Sequence, residues 1–74
     1  MKVLRKKVNE PWQLVDIENT QYAFESELEG KYEKISVFSD ACFIVRENHI
    51  LSDLMFNTKI CGQYFFGTIF LVGV

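Results

Sequence analysis

Few residues of this 74-residue chain could do chemistry: one histidine, two cysteines and scattered carboxylates. His49 and Asp53 stand four positions apart, so a helix would place both side chains on one face, as in a pair of metal ligands. A metal site needs three or four ligands, and Cys61 is the only further candidate, with no characteristic spacing. We therefore expect no metal and no cofactor, and we interpret His49 as a turn residue.

The chain also lacks the short motifs of common enzymes. Its serines lie outside any GxSxG sequence, and neither GxGxxG nor GxxxxGK[ST] occurs. Cys42 and Cys61 show neither CxxC spacing nor the dense pattern of a small secreted protein, so we expect two reduced, buried thiols in a cytoplasmic protein. A disulfide between them remains an alternative, because it requires Cα atoms within about 7 Å and the sequence alone does not give that distance. We expect a protein that is not an enzyme.

Charge is unevenly distributed along the sequence, although the net charge is only −2. Residues 1–8 carry four basic and no acidic side chains, whereas residues 9–33 carry seven acidic side chains and one lysine. The basic run has no interleaved aromatic residue and the whole chain is acidic, which disfavours direct nucleic-acid binding. We interpret Glu25, Glu27 and Glu29 as a solvated face. The alternative is an acidic surface that mimics nucleic acid.

The start of the chain has the pattern of a β-hairpin. Residues 2–8 are rich in β-branched side chains, and residues 12–19 alternate between apolar and polar types. Asn9 and Pro11 between them have turn chemistry. Two paired strands are therefore predicted.

The segment NTQYAFESELEG changes to a helical period. Phe24 and Leu28 stand four positions apart on one face, and Asn19 or Thr20 can cap the first turn. Gly30 stands where a helix commonly ends in the left-handed conformation. We predict a helix of two to three turns.

The central part of the chain returns to strand patterns. Residues 31–38 and 41–48 are predicted to pair across a turn at Ser39 and Asp40. Residues 49–59 fit either a helix that starts near a serine cap or a short strand around LMF. We favour a strand or an irregular crossing.

The last fifteen residues, ICGQYFFGTIFLVGV, contain no charged side chain. As a helix they would span roughly 22 Å, short of a bilayer core of about 30 Å, so no membrane anchor is expected. A strand that is apolar on both faces is typical of the middle of a sheet, which predicts 68–74 as the central strand. One short helix covers only one sheet face. The other face is left to residues 49–66, to closure into a barrel, or to a second chain.

Several short landmarks follow one another along nearly the whole chain. They are KVL, VDIEN after a proline, LEGKYE, CFIVREN, an FN step and the terminal GTIFLVG. In this order they resemble a family of small uncharacterised proteins, a domain of unknown function found in phages, plasmids and conjugative elements of Gram-positive bacteria. The resemblance implies a small cytoplasmic accessory protein of a mobile element, and it implies no activity.

These patterns together predict one α+β domain over residues 1–74. Its sheet is expected to be small, mixed or antiparallel, with about five strands and one short helix in the order ββαββ and then a C-terminal strand. We expect it to act by protein–protein contact, with an unknown partner or with itself as a dimer. A nucleic-acid-associated or nucleic-acid-mimicking regulator is the alternative.

The contact surface is predicted at four polar residues that flank core strands: Arg46, Glu47, Asn48 and Asn57. These residues also have a structural interpretation, in which Asn48 forms a turn and Asn57 bonds backbone groups.

Overall fold

A computed structural model of the chain describes residues 1–36 and 38–73 and shows seven strands and one helix among them. In chain order these are β1 (Lys2–Lys6), β2 (Gln13–Asp16), α1 (Gln21–Leu28), β3 (Tyr32–Ser36), β4 (Ala41–Arg46), β5 (Phe56–Ile60), β6 (Gln63–Phe66) and β7 (Ile69–Gly73). The predicted α+β class is confirmed. Val37 and Val74, which the sequence assigned to strands, lie outside the described residues.

Five of the strands form one antiparallel sheet in the order β2-β1-β7-β4-β3. The two predicted hairpins, β1–β2 and β3–β4, are present, and β7 lies between them. Its residues are apolar on both faces, with Phe70 and Val72 on one side and Ile69 and Leu71 on the other. The prediction of a central C-terminal strand is therefore confirmed.

Helix α1 covers one face of this sheet. The Thr20 hydroxyl caps it by accepting a hydrogen bond from the Ala23 amide at 3.1 Å. Phe24 and Leu28 are buried against the sheet, and the Phe24 ring meets Phe70 edge-on with centroids 5.2 Å apart. The buried cluster on this face comprises Val3, Ile17, Phe24, Leu28, Cys42, Ile44, Phe70 and Val72.

The end of α1 differs from the prediction in which residue is left-handed. Glu29, with φ of 58°, takes that conformation, and the Gly30 amide donates to the Glu25 carbonyl at 3.1 Å. Gly30 lies against the Arg46 side chain, and a Cβ there would lie 2.8 Å from its Nε, so that side chain would have to shift. The helix thus ends one residue earlier than the glycine suggested.

The second sheet face is covered by the β5–β6 hairpin. Phe65 of this hairpin packs on Phe43 of β4, with ring centroids 4.8 Å apart, beside the buried Val45 and Ile69. Of the three arrangements left open by the sequence, folding of residues 49–66 across the sheet is the one observed. The strand in this segment begins at Phe56, slightly later than expected.

The two cysteines lie in different environments and are not bonded to each other. Cys42 is buried as expected, but the expectation of a buried thiol is wrong for Cys61. Cys61 and Gly62 form the two-residue turn between β5 and β6, and both have positive φ, 51° and 78°. Such turns place their central residues at the surface. No helix within the described ranges has the length and apolar character needed to cross a membrane.

Candidate functional site

A groove of about 670 Å³ lies between the β4–β5 loop, the β5–β6 hairpin and the edge strand β3. This volume falls within the range of sites that hold a ligand or a partner's side chains. Glu33 of β3 supplies a carboxylate to one wall. The apolar and aromatic part of the lining consists of Ile35, His49, Ile50, Leu51, Tyr64 and Phe66.

Consecutive tight turns shape the loop that forms one wall of the groove. After β4, the His49 amide donates to the Arg46 carbonyl at 3.1 Å, and the Leu51 amide donates to the Asn48 carbonyl at 3.0 Å. Asn48 is left-handed, with φ of 58°, a conformation that asparagine tolerates better than most residues. The turns therefore follow directly from the polar sequence after β4.

His49 fixes this loop to the hairpin. Its side chain is only 2% exposed, and its ring stacks on Phe65 with centroids 5.9 Å apart. Its Nδ1 accepts a hydrogen bond from the Phe66 amide at 3.2 Å. His49 does lie in a turn, as predicted, but its anchoring role was not predicted. The only sequence signal for that role is a lone histidine beside apolar residues.

Burial lowers the pKa of His49, and the negative charge of Glu33 opposes that shift in part. The bond from the Phe66 amide uses the Nδ1 lone pair, which a neutral ring protonated at Nε2 can offer. The folded protein therefore keeps His49 neutral at a pH where the same residue in the unfolded chain takes up a proton.

This difference predicts a pH-dependent stability. Because the folded pKa lies below the unfolded value, the unfolded state binds more protons as pH falls through 6.5, and the free energy of unfolding decreases. The loss cannot exceed about 1.4 kcal/mol per pH unit for one group. Urea unfolding at pH 7.5 and 5.5 measures it.

His49→Asn is the matched control, because an asparagine oxygen can replace Nδ1 as acceptor without titrating in this range. We expect the variant to lose less stability on acidification than the wild-type protein. Equal losses in the two proteins would show that carboxylates alone carry the pH dependence.

Large apolar side chains surround the groove at the surface. Leu51 is 86% exposed, and Ile50 and Tyr64 are each more than half exposed. Phe56 extends this surface along the hairpin, with its ring 6.3 Å from that of Tyr64. Single exposed hydrophobic residues are ordinary, whereas a contiguous group of them is a candidate site of contact with another molecule.

The residues predicted from the sequence as a contact surface do not lie together. Arg46 is half-buried beside Gly30, at the end of α1. Glu47 is exposed, and its amide donates to the Lys31 carbonyl at 2.8 Å. Asn48 is exposed and lines the groove. Of these three, Asn48 alone belongs to the groove.

Asn57, the fourth predicted contact residue, faces the interior. It is 9% exposed, and its Nδ2 donates to the carbonyl oxygens of Lys6 at 2.9 Å and Gly67 at 2.7 Å. Its Oδ1 accepts from Nζ of Lys6 at 2.7 Å. The structural interpretation of Asn57 therefore describes what is observed. It links the hairpin to β1 and to the segment before β7.

The charged segments noted in the sequence are partly engaged within the molecule. Arg5 of β1 donates to both carboxylate oxygens of Glu27, at 3.2 and 3.3 Å. Glu25 accepts from the Tyr32 amide at 3.3 Å. Neither the basic strand nor the acidic helix therefore presents all its charges to solvent.

Comparisons with protein-family models, curated proteins and solved structures find no match for this chain. Within residues 1–36 and 38–73, no three potential metal-ligating side chains come together. What the groove can do is therefore argued from its own residues.

Proposed function

We propose that this chain is a small accessory protein that binds another protein through the groove beside His49. The observation that carries the proposal is the exposed apolar group of Ile50, Leu51 and Tyr64 around the groove. Burying such side chains at an interface removes apolar surface from water, the main favourable term in protein association. The landmarks that resemble proteins of phages, plasmids and conjugative elements support a role in a mobile genetic element.

The chemistry of the groove indicates what its partner presents. Apolar walls accept a bulky aliphatic or aromatic side chain, and Glu33 adds a negative charge beside them. Among the described residues, Glu33 makes no ion pair within the chain. The partner segment therefore combines an apolar anchor with a neighbouring lysine or arginine.

The same geometry favours contact over catalysis. His49 is the residue of the groove best suited to proton transfer near neutral pH, but it is buried and its Nδ1 is bonded to the Phe66 amide. The cysteine thiols lie elsewhere, in the core and in the hairpin turn. His49 is thus placed to hold the loop.

Leu51→Asp is expected to weaken partner binding strongly, because it puts a charge at the most exposed apolar position of the groove wall. Truncating a central interface anchor commonly costs 2 kcal/mol or more, so we expect affinity to fall by at least about 30-fold. Tagged wild-type and variant proteins are purified from the host, and the recovered partner is then titrated calorimetrically.

Tyr22→Asp is the matched control, since Tyr22 is 78% exposed on α1, which covers the opposite face of the sheet. It should recover the same partner as the wild-type protein.

Glu33→Lys should weaken binding several-fold and reverse its salt dependence. Circular dichroism checks that each variant is folded. Partner recovery that is unaffected by Leu51→Asp, or recovery of nucleic acid alone, would overturn the proposal, and the latter would favour the regulator alternative.

A further inference from the structure

The two edges of the five-stranded sheet differ in chemistry. The β3 edge carries two exposed charged residues, Glu33 and Lys34, in its middle. The β2 edge has Leu14 and Val15 at its middle, and Leu14 is 65% exposed. Natural proteins commonly protect open edges with charges, prolines or bulges. Strand β2 has no such protection at its centre.

The backbone of β2 also offers free hydrogen-bonding groups at this edge. Met1 and Ile17 exchange both backbone hydrogen bonds, at 2.7 and 2.8 Å. Hydrogen-bonded and non-hydrogen-bonded pairs alternate in an antiparallel ladder, so Val15 bonds to β1 whereas Leu14 and Asp16 point their N–H and C=O groups outward. Within the described ranges, no backbone or side-chain group occupies these outward positions.

An apolar row runs across the sheet to the same edge. Leu14, Leu4, Leu71 and Phe43 stand opposite one another on consecutive strands. The hairpin buries Phe43, whereas Leu4 is 37% exposed and Leu14 is more exposed still. Three members of this row, Leu4, Leu71 and Phe43, line a shallow apolar groove of about 360 Å³. The hairpin therefore leaves the β2 end of the face uncovered.

We propose that β2 pairs with β2 of a second copy of this chain, antiparallel about a two-fold axis at Leu14. In this register Leu14 of one copy stands opposite Leu14 of the other. The outward N–H and C=O groups of Leu14 and Asp16 then form backbone hydrogen bonds between the two copies. Gln13 then stands opposite Val15, and Asp16 opposite Trp12, so no like charges stand opposite each other within the paired β2 strands. A two-fold interface needs a surface that is complementary to itself, and the β2 edge meets this requirement in the proposed register. Pairing joins two five-stranded sheets into one.

Leu14→Lys tests the interface, because it places a charge at the two-fold axis where two copies would repel each other. Sedimentation equilibrium of the wild-type protein should show a concentration-dependent dimer, and the variant should dimerise at least 10-fold more weakly. Tyr22→Lys, which alters an exposed apolar residue on α1, should dimerise like the wild-type protein. Thermal melts of both variants confirm that they are folded.

The register is tested by cross-linking in a Cys61→Ser background, in which the remaining thiol, Cys42, is buried. Residues at a hydrogen-bonded pair have Cα atoms about 5.5 Å apart, within disulfide range, so Leu14→Cys should form a covalent dimer on mild oxidation. Ser36→Cys, at the β3 edge, should not. A wild-type monomer at concentrations up to about 0.5 mM, a dimer that survives Leu14→Lys, or equal cross-linking at both edges would overturn the proposal. Leu51→Asp should still dimerise, so this proposal and the proposed function can fail separately.

Discussion

Asn57→Ala is expected to lower the free energy of unfolding by roughly 2–4 kcal/mol, a large part of the stability of a domain this small. The carboxamide bonds the carbonyl and the ammonium group of Lys6, 51 residues away in sequence, and the carbonyl of Gly67, 10 residues away. Alanine would remove the Asn57 donor from the buried Gly67 carbonyl and from the partly buried Lys6 carbonyl. An unsatisfied buried polar group costs more than the net value of the hydrogen bond it has lost.

Thermal and urea unfolding measure this effect. The midpoint should fall by about 8–32 °C, given a shift of about 4–8 °C per kcal/mol for a domain of 60–100 residues. Lys6→Met is the matched control, because it removes the bond from Nζ but keeps the side-chain stem and both carbonyl contacts. It should cost less than about 1 kcal/mol. A loss below 0.5 kcal/mol for Asn57→Ala would show that the hairpin is held to β1 by apolar packing alone.

The elements that could be predicted from the sequence are those specified by local signals. The helix has a cap at Thr20 and the i, i+4 pair of Phe24 and Leu28, which stand within one short segment. The final strand has an uninterrupted apolar run, which is typical of a strand that is buried on both faces. In both cases the deciding residues are neighbours in sequence, so no long-range contact had to be known.

The hairpin that covers the second face was not predicted, because its signals are weak and distant. FNTKI mixes polar and apolar residues without clear alternation, and the turn places Cys61 at a left-handed position where Asn or Asp is typical. The role of Asn57 depends on Lys6, at the other end of the chain. The polar residues predicted as a surface therefore include one that is buried, and no local sequence signal marks Ile50 and Leu51 as exposed.

The two proposed surfaces lie toward opposite edges of the same sheet. The groove borders β3, whereas the self-pairing edge is β2, so a dimer formed through β2 leaves both grooves open. Two grooves on one rigid sheet would bind a partner with two copies of the matching segment more tightly than one groove alone. This coupling predicts that Leu14→Lys weakens binding to such a partner, although the substitution changes no residue of the groove.

Deleting residues 68–74 is expected to abolish folding. β7 is the strand that joins β1–β2 to β3–β4 in the sheet, so its loss separates the two hairpins. Ile69 and Phe70 are both fully buried, and burial of each such side chain contributes about 1.5–3 kcal/mol. Their combined contribution matches the whole net stability of about 5 kcal/mol typical of a small domain.

Circular dichroism melts and the dispersion of amide proton resonances distinguish the outcomes for the deleted chain. A graded control is available within β7, because Phe70 contacts Phe24 of the helix edge-on. Phe70→Ala should cost about 3–5 kcal/mol and leave the chain largely unfolded, whereas Phe70→Leu should cost less than half of that and preserve a cooperative transition. If residues 1–67 still melted cooperatively, the two hairpins would have to associate without β7, and the central strand would not be what holds this fold together.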